Sequence, residues 1–169
     1  MTREAVDLVR EAISPTRGQA WHGGPTPVGA LRGVSAAEAH WVPAPGRSSI
    51  WRLTLHVAYW KYTVRRHLVH EPIPRFPRRP ANFPAVPAHA DQAAWEADRA
   101  LLALEHRLLN EAIEAFTPNH LRWIPAAAKK WTFGEMLIGV ALHDAYHTGQ
   151  IQLLKRMWES RREALGGGR

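Results

Sequence analysis

Leu142-His143-Asp144-Ala145-Tyr146-His147-Thr148-Gly149-Gln150-Ile151 sets two imidazoles four residues apart. On a helix, positions four apart share a face, with Cβ atoms about 5–6 Å from each other. Both rings can then converge on one ion at about 2.0–2.1 Å from each nitrogen. Outward from this stretch, Phe133, Met136, Val140, Ile151, Leu154 and Trp158 recur at helical spacing, and both histidines fall within that stripe. The segment therefore reads as an amphipathic helix whose histidines look into the protein. An imidazole buried without a partner costs about 1–3 kcal/mol, so each ring needs a hydrogen bond or a metal. For the pair taken alone, both solutions stay open.

A third donor comes from Ser49-Ile50-Trp51-Arg52-Leu53-Thr54-Leu55-His56-Val57-Ala58-Tyr59-Trp60. Ile50, Leu53, Val57, Trp60, Val64 and Leu68 form the inward stripe of a second helix, and His56 sits at the stripe's edge, between Leu53 and Trp60. That position faces a neighbouring helix. Three neutral imidazoles with a fourth position open is the arrangement of a catalytic metal rather than a structural one. The other histidines compete poorly. His67 lies about 16 Å from His56 by helical rise, and the His67/His70 pair suits a helix end, where its charge meets the dipole favourably. His22, His40, His89, His106 and His120 read as solvated.

The remaining layout follows from start and stop signals. A first helix runs from about Arg3 to Ile13 and ends at Ser14-Pro15. The region from Thr16 to Pro45 reads as loop with short helices, one opened by the capping box Ser35-Ala36-Ala37-Glu38. A second long helix spans Ser49 to about Glu71, Asp91 caps a third, and the capping box Thr132-Phe133-Gly134-Glu135 opens the histidine helix. Between the second and third long helices lie residues 72–87, with six prolines. A stiff crossover of that length suits one end of a helical bundle and serves as a rim over the cleft, a fixed surface connection or a dimer contact. Residues 1–165 are read as one domain and 166–169 as a flexible tail.

The pairing of Ser-Ile-Trp-x5-His on an early helix with His-Asp-x2-His-x-Gly-Gln-Ile on the last resembles the DinB-like superfamily, including its YfiT-like members. The resemblance extends over Trp21-His22-Gly23-Gly24-Pro25, residues 33–39, the helix around His56, the proline-rich crossover and the closing helix through Lys155. It implies an all-α four-helix bundle with a long crossover and short extra helices, holding a divalent metal, zinc or nickel, through His56, His143 and His147. The activity it implies is activation of a low-molecular-weight thiol for S-transfer to an electrophile. Hydrolysis by metal-bound water, as described for YfiT-like members, is the alternative, and a noncatalytic metal- or ligand-binding bundle is a third reading.

Neighbours of the histidines carry further expectations. Asp144 either orients an imidazole from behind or pairs with an Arg or Lys. Gln150 is placed to bond a ring or substrate, Gly149 to let a helix come close, and Tyr146 and Tyr59 to line the cleft rim as proton donors or packing residues. His143-Asp144-Ala145-Tyr146-His147 differs by one methylene from the His-Glu-x-x-His helix of zinc proteases, but no further Glu follows at the required spacing, which disfavours a protease.

Composition narrows the classes. The 169 residues are 46% hydrophobic, which suits one ordered domain and excludes a disordered chain. Cysteine is absent, so there is no disulfide framework or protein thiolate, and any sulfur chemistry needs sulfur from a cofactor or substrate. No apolar run reaches the ~20 residues of a membrane span, and the N-terminal residues lack an apolar signal core; a cytoplasmic protein is expected. The net charge of +7, with Arg65, Arg66, Arg75, Arg78 and Arg79 close in sequence, favours anions. Nucleic acid is disfavoured, because most Trp and Phe positions fall on stripes that should be core. A small-molecule substrate and a homodimer, the latter through exposed members of Trp21, Trp41, Trp51, Trp123 and Trp131, are the expected partners.

Overall fold

Helix starts are fixed by side chains that satisfy the open amides of a first turn. Ser35 Oγ accepts from Glu38 N, Ser49 Oγ from Arg52 N and Asp91 Oδ1 from Ala94 N. Thr132 and Glu135 cap reciprocally: Thr132 Oγ1 accepts from Glu135 N, and Glu135 Oε2 accepts from Thr132 N. The structure, a computed structural model, describes residues 3–18, 23–69 and 71–166. Among these the helices are α1 (Arg3–Ile13), α2 (Pro27–Ala30), α3 (Ala36–His40), α4 (Ile50–Leu68), α5 (Gln92–Ala115) and α6 (Phe133–Gly166), with a 3-10 turn at Pro118–His120 and no strand. Trp21, His22, His70 and the tail past Gly166, all named above, lie outside the described residues.

α4 packs against α5 and α6, and α1 packs against the same two. Four long helices thus close a ring, an all-α bundle in which α2 rests on α5 and α6 while α3 rests on α4 and α5. Two apolar clusters fill it. One gathers Trp51, Leu55, Trp95, Leu102 and Ile151 with the short helices, and the other gathers Val6, Ile13, Leu68, Leu109, Ile113 and Leu137. Between them along α4, α5 and α6 sits a polar layer: Lys61, Glu105 and Asp144 are buried, and His106 is largely so. Two ion pairs neutralise it, Lys61 with Asp144 and Arg65 with Glu105.

The crossover is tied down in its first half. Phe76 is buried against Tyr59 and Tyr62. Arg78 Nε donates to Asp98 Oδ1 at 2.8 Å while Asp98 Oδ2 accepts from Trp51 Nε1. Arg65 and Arg78, two members of the basic cluster, are therefore paired with internal carboxylates.

Several expectations need correction. The inward stripe of α6 is Leu137, Val140, Asp144, His147, Thr148, Ile151 and Leu154, so His143 stands at its edge rather than its centre. Trp60, placed in the core by its spacing, is 37% exposed. A Cβ on Gly149 would meet nothing within 4 Å, so no close helix contact requires that glycine; Gly134 is the tight one, where a Cβ would lie 3.1 Å from the Leu121 carbonyl oxygen. His40 and His106 are not solvated: His40 Nε2 bonds the Pro87 carbonyl at 3.0 Å. Burial, with the Lys61 charge adding, pushes His106 down to about 4.

Candidate metal centre

α4 supplies one imidazole to the cleft and α6 two. Ring centroids lie 4.9 Å apart for His56 and His143, 4.7 Å for His56 and His147, and 4.3 Å for His143 and His147. One ring nitrogen of each falls within 4.8 Å of the other two. A tetrahedral ion with bonds of 2.0–2.1 Å sets its donors about 3.3 Å apart. The His56 and His143 Nε2 atoms, at 3.0 Å, already stand that close, so these residues can hold a metal ion. Facing helices of a bundle are where such sites are built.

Partners behind the rings decide which nitrogen faces inward. His56 Nδ1 donates to the Asn82 carbonyl at 2.6 Å, and His147 Nδ1 donates to Gln150 Oε1 at 2.7 Å. A carbonyl only accepts, so both rings carry their proton at the back and leave an Nε2 lone pair for the centre. His143 departs from this pattern, its Nδ1 being buried without a hydrogen-bond partner among the described residues.

Burial also keeps the rings neutral. It pushes His143 down to about 3, with the charges of His147, His56 and Lys61 adding. Burial lowers His56 despite its bond to Asn82, and lowers His147 despite its bond to Gln150. Neutral imidazole is the form that ligates, so the triad is competent at neutral pH.

The proline-rich crossover forms one wall of the cleft. Phe83 stacks on His56 at 3.9 Å and 6°, and the Arg52 guanidinium lies 5.1 Å over the Phe83 ring. Asn82 has φ 68°, a left-handed conformation that asparagine adopts more readily than most residues. Its side-chain oxygen accepts from Trp60 Nε1 at 2.8 Å, which holds its carbonyl against His56. The hollow in front of the rings measures about 480 Å³ and is bounded by Ser48, Leu53, Trp60, Phe83 and Tyr146. Tyr146 stands exposed at the rim, whereas Tyr59 packs on Trp60, Tyr62 and Phe76.

Asp144 belongs to a different environment. Its Oδ2 accepts from Lys61 Nζ in a buried ion pair, and it reaches the triad only through its charge, which favours protonation of His147. Lys61, Asn82 and Phe83 were not singled out in the sequence. Lysine reads as a surface residue until a carboxylate 83 positions away is brought to it, and no periodicity marks single positions in a proline-rich loop.

A helical bundle presenting three neutral histidines from two helices to an open cleft defines a bundle-type candidate metalloprotein. The chain belongs to the DinB superfamily, whose model matches residues 28–151, well over half of the sequence and including all three histidines. No curated protein and no solved structure matches the chain.

Proposed function

We propose that the chain is a metal-dependent enzyme in which His56, His143 and His147 hold a divalent ion, zinc or nickel, and in which a low-molecular-weight thiol is activated for S-transfer to a small electrophile. The observation that carries this reading is the convergence of three neutral rings, two of them fixed from behind by Asn82 and Gln150, on a cleft open on its far side. When bound, the ion supplies Lewis acidity that lowers the pKa of a ligated thiol or water. The chain's own contribution is positional. Asn82 and Gln150 keep the Nε2 lone pairs directed inward, Phe83 and Trp60 screen His56 from water on the crossover side, and Tyr146 offers a hydroxyl at the rim. The absence of cysteine means that a reacting sulfur arrives from outside.

Turnover of an electrophile such as 1-chloro-2,4-dinitrobenzene is the test, with and without an added small thiol. Dependence on the thiol supports transfer. Turnover without it selects the hydrolase, since the same three donors serve a water nucleophile equally well. Metal uptake with no turnover of either kind selects the noncatalytic module.

The same reading carries a small-molecule substrate rather than nucleic acid, and a cytoplasmic setting. No described helix is long and apolar enough to cross a membrane. Exposed Trp123 and Ile124 support a homodimer, which light scattering measures.

A further inference from the structure

Beside the histidine cleft runs a second hollow of about 510 Å³, between the middle of α4 and the first turns of α6. Trp60 and Val64 form one side, Ile138, Gly139 and Leu142 the other, and Trp131 closes the end. Its volume falls in the range of small-molecule sites, about 300–1,000 Å³. The lining is almost wholly apolar. Its one acidic member, Glu135, turns its carboxylate back to the Thr132 backbone and hydroxyl. Trp131, Ile138 and Leu142 are each more than half exposed, an unusual concentration of large apolar side chains on one short stretch of surface.

The groove adjoins the histidine cleft, since Trp60 and His143, with ring centroids 6.1 Å apart, line both. A molecule lying in the groove therefore meets one member of the triad, His143, at its border. We infer that this groove seats the apolar, preferably aromatic, body of a small substrate whose reactive group lies at His56, His143 and His147. The inference rests on the metal-cleft reading for the reactive end alone; seating of the apolar body needs no ion. Trp60 and Trp131 offer flat faces suited to a ring. The hollow is walled by two helices and the segment before α6, a three-sided shape that fits a compact ligand better than the flat packing of a second helix. Gly139 contributes open space. A Cβ there would meet nothing within 4 Å, so a side chain at this position enters the groove instead of the core.

The test titrates metal-free, full-length protein with 2-naphthol and follows tryptophan fluorescence, comparing wild type with Gly139→Leu and Leu142→Asp. Gly139→Leu fills the hollow and raises helix propensity, and Leu142 is 66% exposed, so both variants should fold. Saturable binding by wild type, weakened at least about tenfold in both variants, is the expected result. Absence of saturable binding, or equal affinity in wild type and Gly139→Leu, overturns the inference. So does a dimer in sedimentation velocity that Gly139→Leu dissociates, because a second copy would then occupy the groove. Metal uptake by wild type is read on a separate sample. Its failure removes the metal-cleft reading and leaves the naphthol result standing, and the reverse holds if only the naphthol binding fails.

Discussion

His143 and Asp144 are adjacent in sequence yet belong to opposite kinds of polar region. Asp144 enters a closed layer, where attraction to the fully buried Lys61 offsets part of the burial that raises its carboxyl. His143 enters an open layer, where three neutral rings each direct a nitrogen toward a cleft reached by solvent. A buried ion pair ties α4 to α6. Neutral donors with a free side are arranged for something to arrive. About 100° of rotation per residue on α6 separates the two roles.

The largest expected effect breaks the closed layer. Lys61→Met leaves the Asp144 charge buried without its partner and should cost about 3–5 kcal/mol, a fall in Tm of roughly 6–20 °C for a chain of this size. Adding Asp144→Leu should recover most of that loss, since an apolar pair often replaces a buried ion pair at no net cost. Thermal denaturation measures both. A Lys61→Met protein as stable as wild type would mean that the layer is not closed.

A smaller effect sharpens the open layer. Gln150→Ala removes the acceptor behind His147, and loss of such an outer partner typically lowers metal affinity about 10–100-fold. Folding stability should stay within about 1 kcal/mol. Competition titration against a chelator gives the affinity and urea unfolding the stability. Equal losses in both would assign Gln150 a packing role only.

The smallest effect concerns pH. His106 lies in the closed layer with its pKa held down to about 4, against 6.5 when unfolded. Between those values the unfolded chain binds the extra proton, so stability is complete above pH 6.5 and is lost as pH falls toward 4. At pH 5.5 the loss from this one ring is roughly 1 kcal/mol. The triad rings, also lowered, add in the same direction in metal-free protein. His106→Leu should flatten the acid limb of a stability profile, and an unchanged slope would contradict the assignment.

The bundle was legible because helix signals are local. Ser35, Ser49, Asp91 and Thr132 mark helix starts by short-range bonding to amides three residues on, and the apolar stripes mark the inward faces. The three histidines were legible for the same reason, an i,i+4 pair and a third ring on the edge of another stripe. The closed layer was not, because Lys61 and Asp144 meet only after α4 and α6 pack. Trp60 shows the limit of a stripe: it has the spacing of a core residue, yet in the middle of α4 it is a wall of two hollows. Asn82 and Phe83, which hold and cover His56, lie in a loop where position follows from tertiary contact.

Metal content decides most directly whether three distant imidazoles form one site. Protein purified without affinity tag or chelator should carry or take up roughly one equivalent of zinc or nickel, with a rise in Tm on loading, and His143→Ala should lose both. Less than about a tenth of an equivalent with no thermal shift, or undiminished uptake by His143→Ala, would contradict the site.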